Sequence, residues 1–188
     1  MRTLSSSLML KLVTVVAVCG ACSAAQRMTN TVATAAAEMY DVNGTSLGVA
    51  MLSQSVSGLV TVRLESRLPA GTHGIHFHQV GKCEGGATAF STAGGHFNPL
   101  AKEHGLQNSR GPHAGDAPNI VVPADGVAKL TFTTDRVSLT AGAASLFDAD
   151  GSSIVVHGGA DDQMSQPAGN SGPRIACGVI KPIGTTGM

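Results

Sequence analysis

From Thr31 to Ile180 the chain reads as strand, turn, strand, and no stretch carries the 3.6-residue apolar period of a helix. The clearest strand is Leu59–Arg67, where Val60, Val62 and Leu64 alternate with polar neighbours. Ahead of it, Ala33–Asp41 runs into Asn43-Gly44, a strong hairpin turn, and Leu47–Ser55 runs into Ser57-Gly58. Pro69 to Thr72 then turns the chain into Gly74–Val80, and Val127–Thr134, Ile154–His157 and Arg174–Ile180 follow as strands. Glycine makes up 24 of 188 residues, about 13% against a background near 7%, which suits many tight turns. Aromatics total 3% and Trp is absent, so the core must be aliphatic. The expectation is an all-β fold, an antiparallel sandwich or barrel of about eight strands.

Residues 1–25 stand apart from that pattern. Arg2 and Lys11 lead into an apolar run, Leu12 to Val18, which gives way to small residues ending at Ser23-Ala24-Ala25. Basic lead-in, short apolar run and small-residue exit describe a secretory signal, and the run is well short of the ~20 residues of a spanning helix. Cleavage after Ala25 is one expected processing site. The other is a lipoprotein type before Cys22, which would tether the protein to a membrane. Residues 26–188 are then the mature domain, exported to the periplasm or beyond. It carries 10 Lys+Arg against 12 Asp+Glu, a mild net −2. That balance argues against a nucleic-acid partner, which needs a basic surface. Cleavage after Ala25 leaves two cysteines, Cys83 and Cys177, and a disulfide is the expected state of an even pair in an oxidising compartment.

The stretch from Gly81 to Pro118 is rich in Gly, His, Asn and Pro and has no sustained period. Loops of that length in a compact domain are usually functional or held by ligands. All seven histidines fall between positions 73 and 157. His76 and His78 stand two apart on an expected strand, with both imidazoles on one face about 6.6 Å apart along the backbone. His73 is an odd number of residues from His76, faces the other way, and reads as a hydrogen-bonded structural histidine. The loop adds His96, His104, His113 and Asp116, at gaps of 8, 9 and 3. Three histidines and a carboxylate make a tetrahedral zinc set, and His157 follows at the end of an apolar strand. Without His73 there are six histidines and Asp116, seven ligands, where two four-coordinate sites need eight. Either one site stays open or one histidine serves both metals. All-imidazole ligation suits copper, and three histidines with an aspartate suit zinc.

Here the sequence resembles the copper/zinc superoxide dismutase family, bacterial exported type. Gly74-Ile75-His76-Phe77-His78 is similar to its copper-binding strand, and Gly94-Gly95-His96-Phe97-Asn98-Pro99 to its bridging-histidine segment. Pro112-His113-Ala114-Gly115-Asp116 resembles its zinc segment, Val155-Val156-His157 its last copper ligand, and Gly169 through Ile180 its C-terminal signature. The resemblance implies a Greek-key sandwich. It implies copper on His76, His78, His96 and His157, and zinc on His96, His104, His113 and Asp116, with His96 as the bridge. It further implies that Asp161 links His76 to His104, that Arg174 docks an anionic substrate, and that Cys83 and Cys177 form the family's disulfide. The implied reaction is the disproportionation of superoxide to oxygen and hydrogen peroxide, with Arg174 and His96 as catalytic residues.

Gly158–Pro173 contains Asp161 and Asp162 but no Lys or Arg, so that loop supplies no cationic guidance of an anion. Lys82, Lys102 and Arg110 are the candidates that remain. A different class fits the same histidines, a non-catalytic exported copper- or zinc-binding protein, and a third is a sandwich whose metals only staple a loop. Arg174 favours the enzyme, because a carrier needs no anion-docking cation. The sequence is compatible with a monomer or a homodimer.

Overall fold

The structure, a computed structural model, describes residues 31–85 and 88–184. The leader-like segment 1–25, with Cys22, lies outside the described residues. The strands are β1 (Thr31–Tyr40), β2 (Ser46–Ser55), β3 (Val60–Arg67), β4 (Gly71–His73), β5 (Ile75–His78), β6 (Ile120–Val122), β7 (Val127–Thr134), β8 (Ser153–His157), β9 (Arg174–Val179) and β10 (Lys181–Pro182). Eight of them form one curled antiparallel sheet in the order β5-β8-β9-β1-β2-β3-β7, with β10 paired to β1. The chain crosses from β3 to β5 at the far end of that path, returns to β7 beside β3, and crosses again to β8 beside β5. These long returns are the mark of a Greek key. The all-β expectation holds.

Local chemistry explains the strand limits. At the first hairpin the Asp41 carboxylate accepts the amides of Asn43 and Thr45, both at 2.8 Å, and Gly44 takes the left-handed φ of +79°. Along β3, Val60, Val62 and Leu64 are buried while Arg63 and Glu65 are exposed, the period-two pattern of a strand with one wet face. Strand β8 is buried throughout because it is covered on both sides. Ile154 and Val156 enter the main aliphatic core with Leu52, Val62, Ile75 and Phe77. Val155 faces a small second core with Phe90, Ala93 and Cys177. That two-sided burial is why β8 reads as an unbroken apolar run.

Two short elements differ from the sequence reading. The turn expected over Pro69–Thr72 ends in β4, which pairs with β6 in a separate two-stranded sheet at the register Gly71↔Val122 to His73↔Ile120. At three residues each, these strands are too short for a periodic signal. The single strand expected over Gly74–Val80 also begins later, because the Gly74 amide leaves the ladder to bond the Gly159 carbonyl at 2.8 Å. His73 ends β4, and both its ring nitrogens lie 2.9 Å from main-chain carbonyls, those of His157 and Pro69. Among the described residues the long loop contains one 3-10 turn, Ser91–Ala93, as its only helical element.

Candidate metal centre

A closed ring of three main-chain bonds gathers the strand and loop that carry the histidines. Phe97 donates to the Phe77 carbonyl at 2.8 Å, Gly115 to Phe97 at 2.8 Å, and Phe77 to Gly115 at 2.9 Å. Each of these residues is flanked by candidate ligands: His76 and His78, His96, and Asp116. Residue 115 must be glycine, since a Cβ there would lie 2.3 Å from the Phe77 carbonyl oxygen. A second crossing locks His104. Its amide donates to Gln166 Oε1 at 2.8 Å, and Gln166 Nε2 donates back to its carbonyl at 3.0 Å.

The rings converge in two sets that share His96. His76, His78, His96 and His157 present ligand atoms that all lie within 4.8 Å of one another, and so do His96, His104, His113 and Asp116. In the first set each ring has one nitrogen engaged. His76 Nε2 donates to Asp161 Oδ2 at 2.7 Å, His78 Nδ1 to the Gly94 carbonyl at 3.0 Å, and His157 Nδ1 to the Gly172 carbonyl at 3.1 Å. His96 turns Nδ1 toward Asp116 Oδ1 at 2.9 Å. The opposite nitrogens, His76 Nδ1, His78 Nε2, His96 Nε2 and His157 Nε2, are buried with no hydrogen-bond partner. Four orphaned nitrogens in one place oppose the rule that buried polar atoms are paired. A bound cation would satisfy all four, and an all-imidazole donor set suits copper.

In the second set one oxygen is the focus. The Nδ1 atoms of His96, His104 and His113 lie 2.9, 3.0 and 3.4 Å from Asp116 Oδ1. Asp116 Oδ2 accepts the amides of Gly105 at 2.8 Å and His113 at 2.9 Å, which fixes the carboxylate plane. Three Nδ1 atoms and a carboxylate oxygen make a donor set that fits tetrahedral zinc. Asp161 joins the two sets: its other oxygen accepts from His104 Nε2 at 3.0 Å. Asn119 in turn holds the Asp161 main chain at both its amide, 2.9 Å, and its carbonyl, 2.8 Å.

Electrostatics follow from burial and partners. Burial pushes His76 down to about 3, against the pull of Asp161, and His157 down to about 4. Burial also pushes His78 well below the ordinary histidine value, and the charges of His96 and Arg174 add to the effect. These rings are held neutral with a lone pair free, as ligands must be. His104 goes the other way. Burial opposes its charge, but Asp116 and Asp161 on its two nitrogens outweigh burial and lift it to about 9. Asp116 resists burial likewise, held far below the usual carboxylate range by hydrogen bonds from His104, His113 and His96.

Arg174 stands at the start of β9, half-buried. Its Nη1 donates to the Phe90 carbonyl at 2.6 Å and its Nη2 to the Gly94 carbonyl at 2.5 Å. The Gly94 oxygen therefore serves both the guanidinium and His78. Cys83 and Cys177 are joined in a disulfide across 94 positions, tying the start of the long loop to β9. Of the cations named as guides, Arg110 is paired with Glu103 at 2.7 Å, while Lys82 and Lys102 are exposed. Sequence reasoning had no signal for Gln166, Asn119 or the carbonyl of Gly94, because isolated amides and main-chain atoms form no motif.

The comparisons agree with this geometry. The family described as copper/zinc superoxide dismutase (SODC) matches residues 46–180. The chain is 45% identical over 148 residues to superoxide dismutase (Cu-Zn) 1 of Aquifex aeolicus (strain VF5), covering 77% of this chain and 86% of that relative. It is 43% identical over 143 residues to the superoxide dismutase (Cu-Zn) of Caulobacter vibrioides, covering 74% and 80%. The crystal structure of a SOD-like protein from Bacillus subtilis superposes with a TM-score of 0.70 at 35% identity, over 76% of this chain and 95% of that one. With the match spanning most of the described residues, and with copper and zinc as its cofactors, this chain belongs to the copper/zinc superoxide dismutase family of oxidoreductases.

Proposed function

We propose that His76, His78, His96 and His157 hold copper, that His96, His104, His113 and Asp116 hold zinc, and that Arg174 receives superoxide beside the copper set. The reaction is the disproportionation of two superoxide anions and two protons to oxygen and hydrogen peroxide. The observation that carries the assignment is the set of four buried ring nitrogens that converge without a partner. Copper, when bound there, supplies one-electron redox chemistry, and zinc supplies fixed positive charge. The residues do the rest. Arg174 has two donors anchored on Phe90 and Gly94, and its remaining N–H groups and its charge are available to an anion. His78 and His157 keep their tautomers through the Gly94 and Gly172 carbonyls. His96 turns one nitrogen toward each set, and its Nε2 is the atom able to take a proton and pass it to the peroxide product.

Arg174 favours an enzyme over a metal carrier, and it provides the test. In Arg174→Glu the reversed charge repels superoxide, so the rate falls at least about tenfold, or ~1.4 kcal/mol of transition-state stabilisation, with both metals retained. Wild-type activity falls with added salt as the Debye length shortens from ~10 Å at 0.1 M, and the mutant's falls less or rises. Dismutation measured across ionic strengths, with metal content checked, decides this. Wild-type rate and salt slope in the mutant return the chain to the carrier reading.

We infer too that residues 26–188 are the mature domain and act outside the cytoplasm. The disulfide supports this, since such bonds persist in oxidising compartments, and so does the composition of residues 1–25. Mass spectrometry of the mature N-terminus separates cleavage after Ala25 from lipidation at Cys22.

A further inference from the structure

Arg136 lies just beyond β7, in a segment that carries no ligand and no motif. Its Nη2 donates to the main-chain carbonyl of Asp116 at 2.6 Å, across 20 positions of chain. No ion pair involves Arg136 among the described residues. Its Nε is buried with no hydrogen-bond partner. A cation without a carboxylate, and with one donor stranded, is a poor choice for stability alone. What it does hold is the backbone of the residue on which three histidines converge.

The segment behind it is braced. Gln54, buried on β2, accepts the Leu139 amide through Oε1 at 2.7 Å, and its Nε2 lies 3.3 Å from Ser138 Oγ. Val137 and Leu139 are buried in the main core. The guanidinium is thus mounted on the sheet, whereas Asp116 belongs to the loop. Asp116 is gripped on three sides, by the Gly105 and His113 amides at Oδ2 and by Arg136 at the carbonyl. Only Oδ1 is left facing the rings.

We propose that Arg136 is a positioning residue for the zinc set: it transmits the rigidity of the sheet to Asp116 and so fixes the carboxylate against His96, His104 and His113. The inference rests on the zinc assignment made above. Losing such an outer partner typically weakens metal affinity by ~10–100-fold.

The test uses the full mature chain, stripped of metal and reloaded with Zn(II) or Co(II). Arg136→Met removes the donors and keeps the bulk, and Arg136→Lys keeps a cation that can reach the carbonyl. Zinc affinity is read by competition with a chelator, and geometry by the visible absorption of Co(II) in the same set. Arg136→Met is expected to bind zinc about 10–100-fold more weakly and to give an altered Co(II) spectrum, with Arg136→Lys recovering much of both. If Arg136→Met does not fold, Arg136→Gln, which is shorter and uncharged, takes its place in both readouts with the same weakening and altered spectrum expected. Wild-type affinity and spectrum in the folded variant overturn the inference. Asp116→Ala separates the two failures: zinc binding that needs Asp116 but ignores Arg136 sinks this inference only, and binding that ignores Asp116 sinks the zinc assignment and this inference together.

Discussion

Asp161 touches the two ligand sets with one carboxylate, at 2.7 Å to His76 and 3.0 Å to His104. Both rings give Nε2 to it, so Nδ1 is the nitrogen each ring turns toward its own set. Asp161→Asn keeps one acceptor oxygen and sets an NH2 against the other ring, which must then turn or lose its proton. The expected result is a loss of about 10–100-fold in affinity for one or both metals with the fold intact. Dialysis against a chelator followed by metal analysis checks it, and equal retention in mutant and wild type removes Asp161 from this role.

At the scale of elements, the long loop is pinned where it leaves the sheet. The disulfide fixes Cys83 to β9, and Phe90 and Ala93 pack with Cys177 and Val155 beneath it. The same stretch presents the Phe90 and Gly94 carbonyls that hold Arg174. In Cys83→Ser the unfolded chain regains the freedom of a 94-residue loop, about 4–5 kcal/mol of entropy on the simplest account. Thermal stability should fall, and activity should fall more than metal content, because Arg174 loses its platform first. A thiol assay on the unreduced wild-type protein should find no accessible pair. The candidate ligands were legible in advance because few residue types can serve as metal donors, and close neighbours such as Gly115 are fixed by steric contact. The alternation in β3 and the turn at Asn43-Gly44 were legible for a similar reason, each being a local rule. The small sheet of β4 and β6 and the Gln166 clasp on His104 were not, since each depends on a partner far along the chain that only the fold supplies. His73 was expected to be structural, and its two carbonyl contacts agree. The spacing argument for it does not survive, because the chain breaks at Gly74.

For the whole molecule, the histidines set how stability without metal depends on pH. His76 and His157 sit at about 3 and about 4 in the fold against 6.5 unfolded. Below pH 6.5 the unfolded chain takes up protons that the native rings refuse, so stability falls as pH drops toward 4. His104 sits at about 9. Its contribution is complete below 6.5 and is lost as pH rises through 9. The metal-free protein should therefore be most stable near pH 6.5, as denaturant midpoints across pH would reveal; a plateau from 5 to 9 would contradict it. The topology has a further consequence, in time rather than in energy. Strands β1, β2 and β3 pair with their immediate neighbours in sequence, whereas His76 and His157 are 81 positions apart. Contacts that close long loops tend to come late, so these two histidines are expected to meet after most of the sheet has formed. An ion that joins only at the end acts on departure from the native state and not on arrival. Zinc should slow unfolding in denaturant while refolding, with the disulfide kept intact, proceeds at the metal-free rate. Such a protein becomes long-lived only once metal has reached it, and its lifetime records whether that supply arrived.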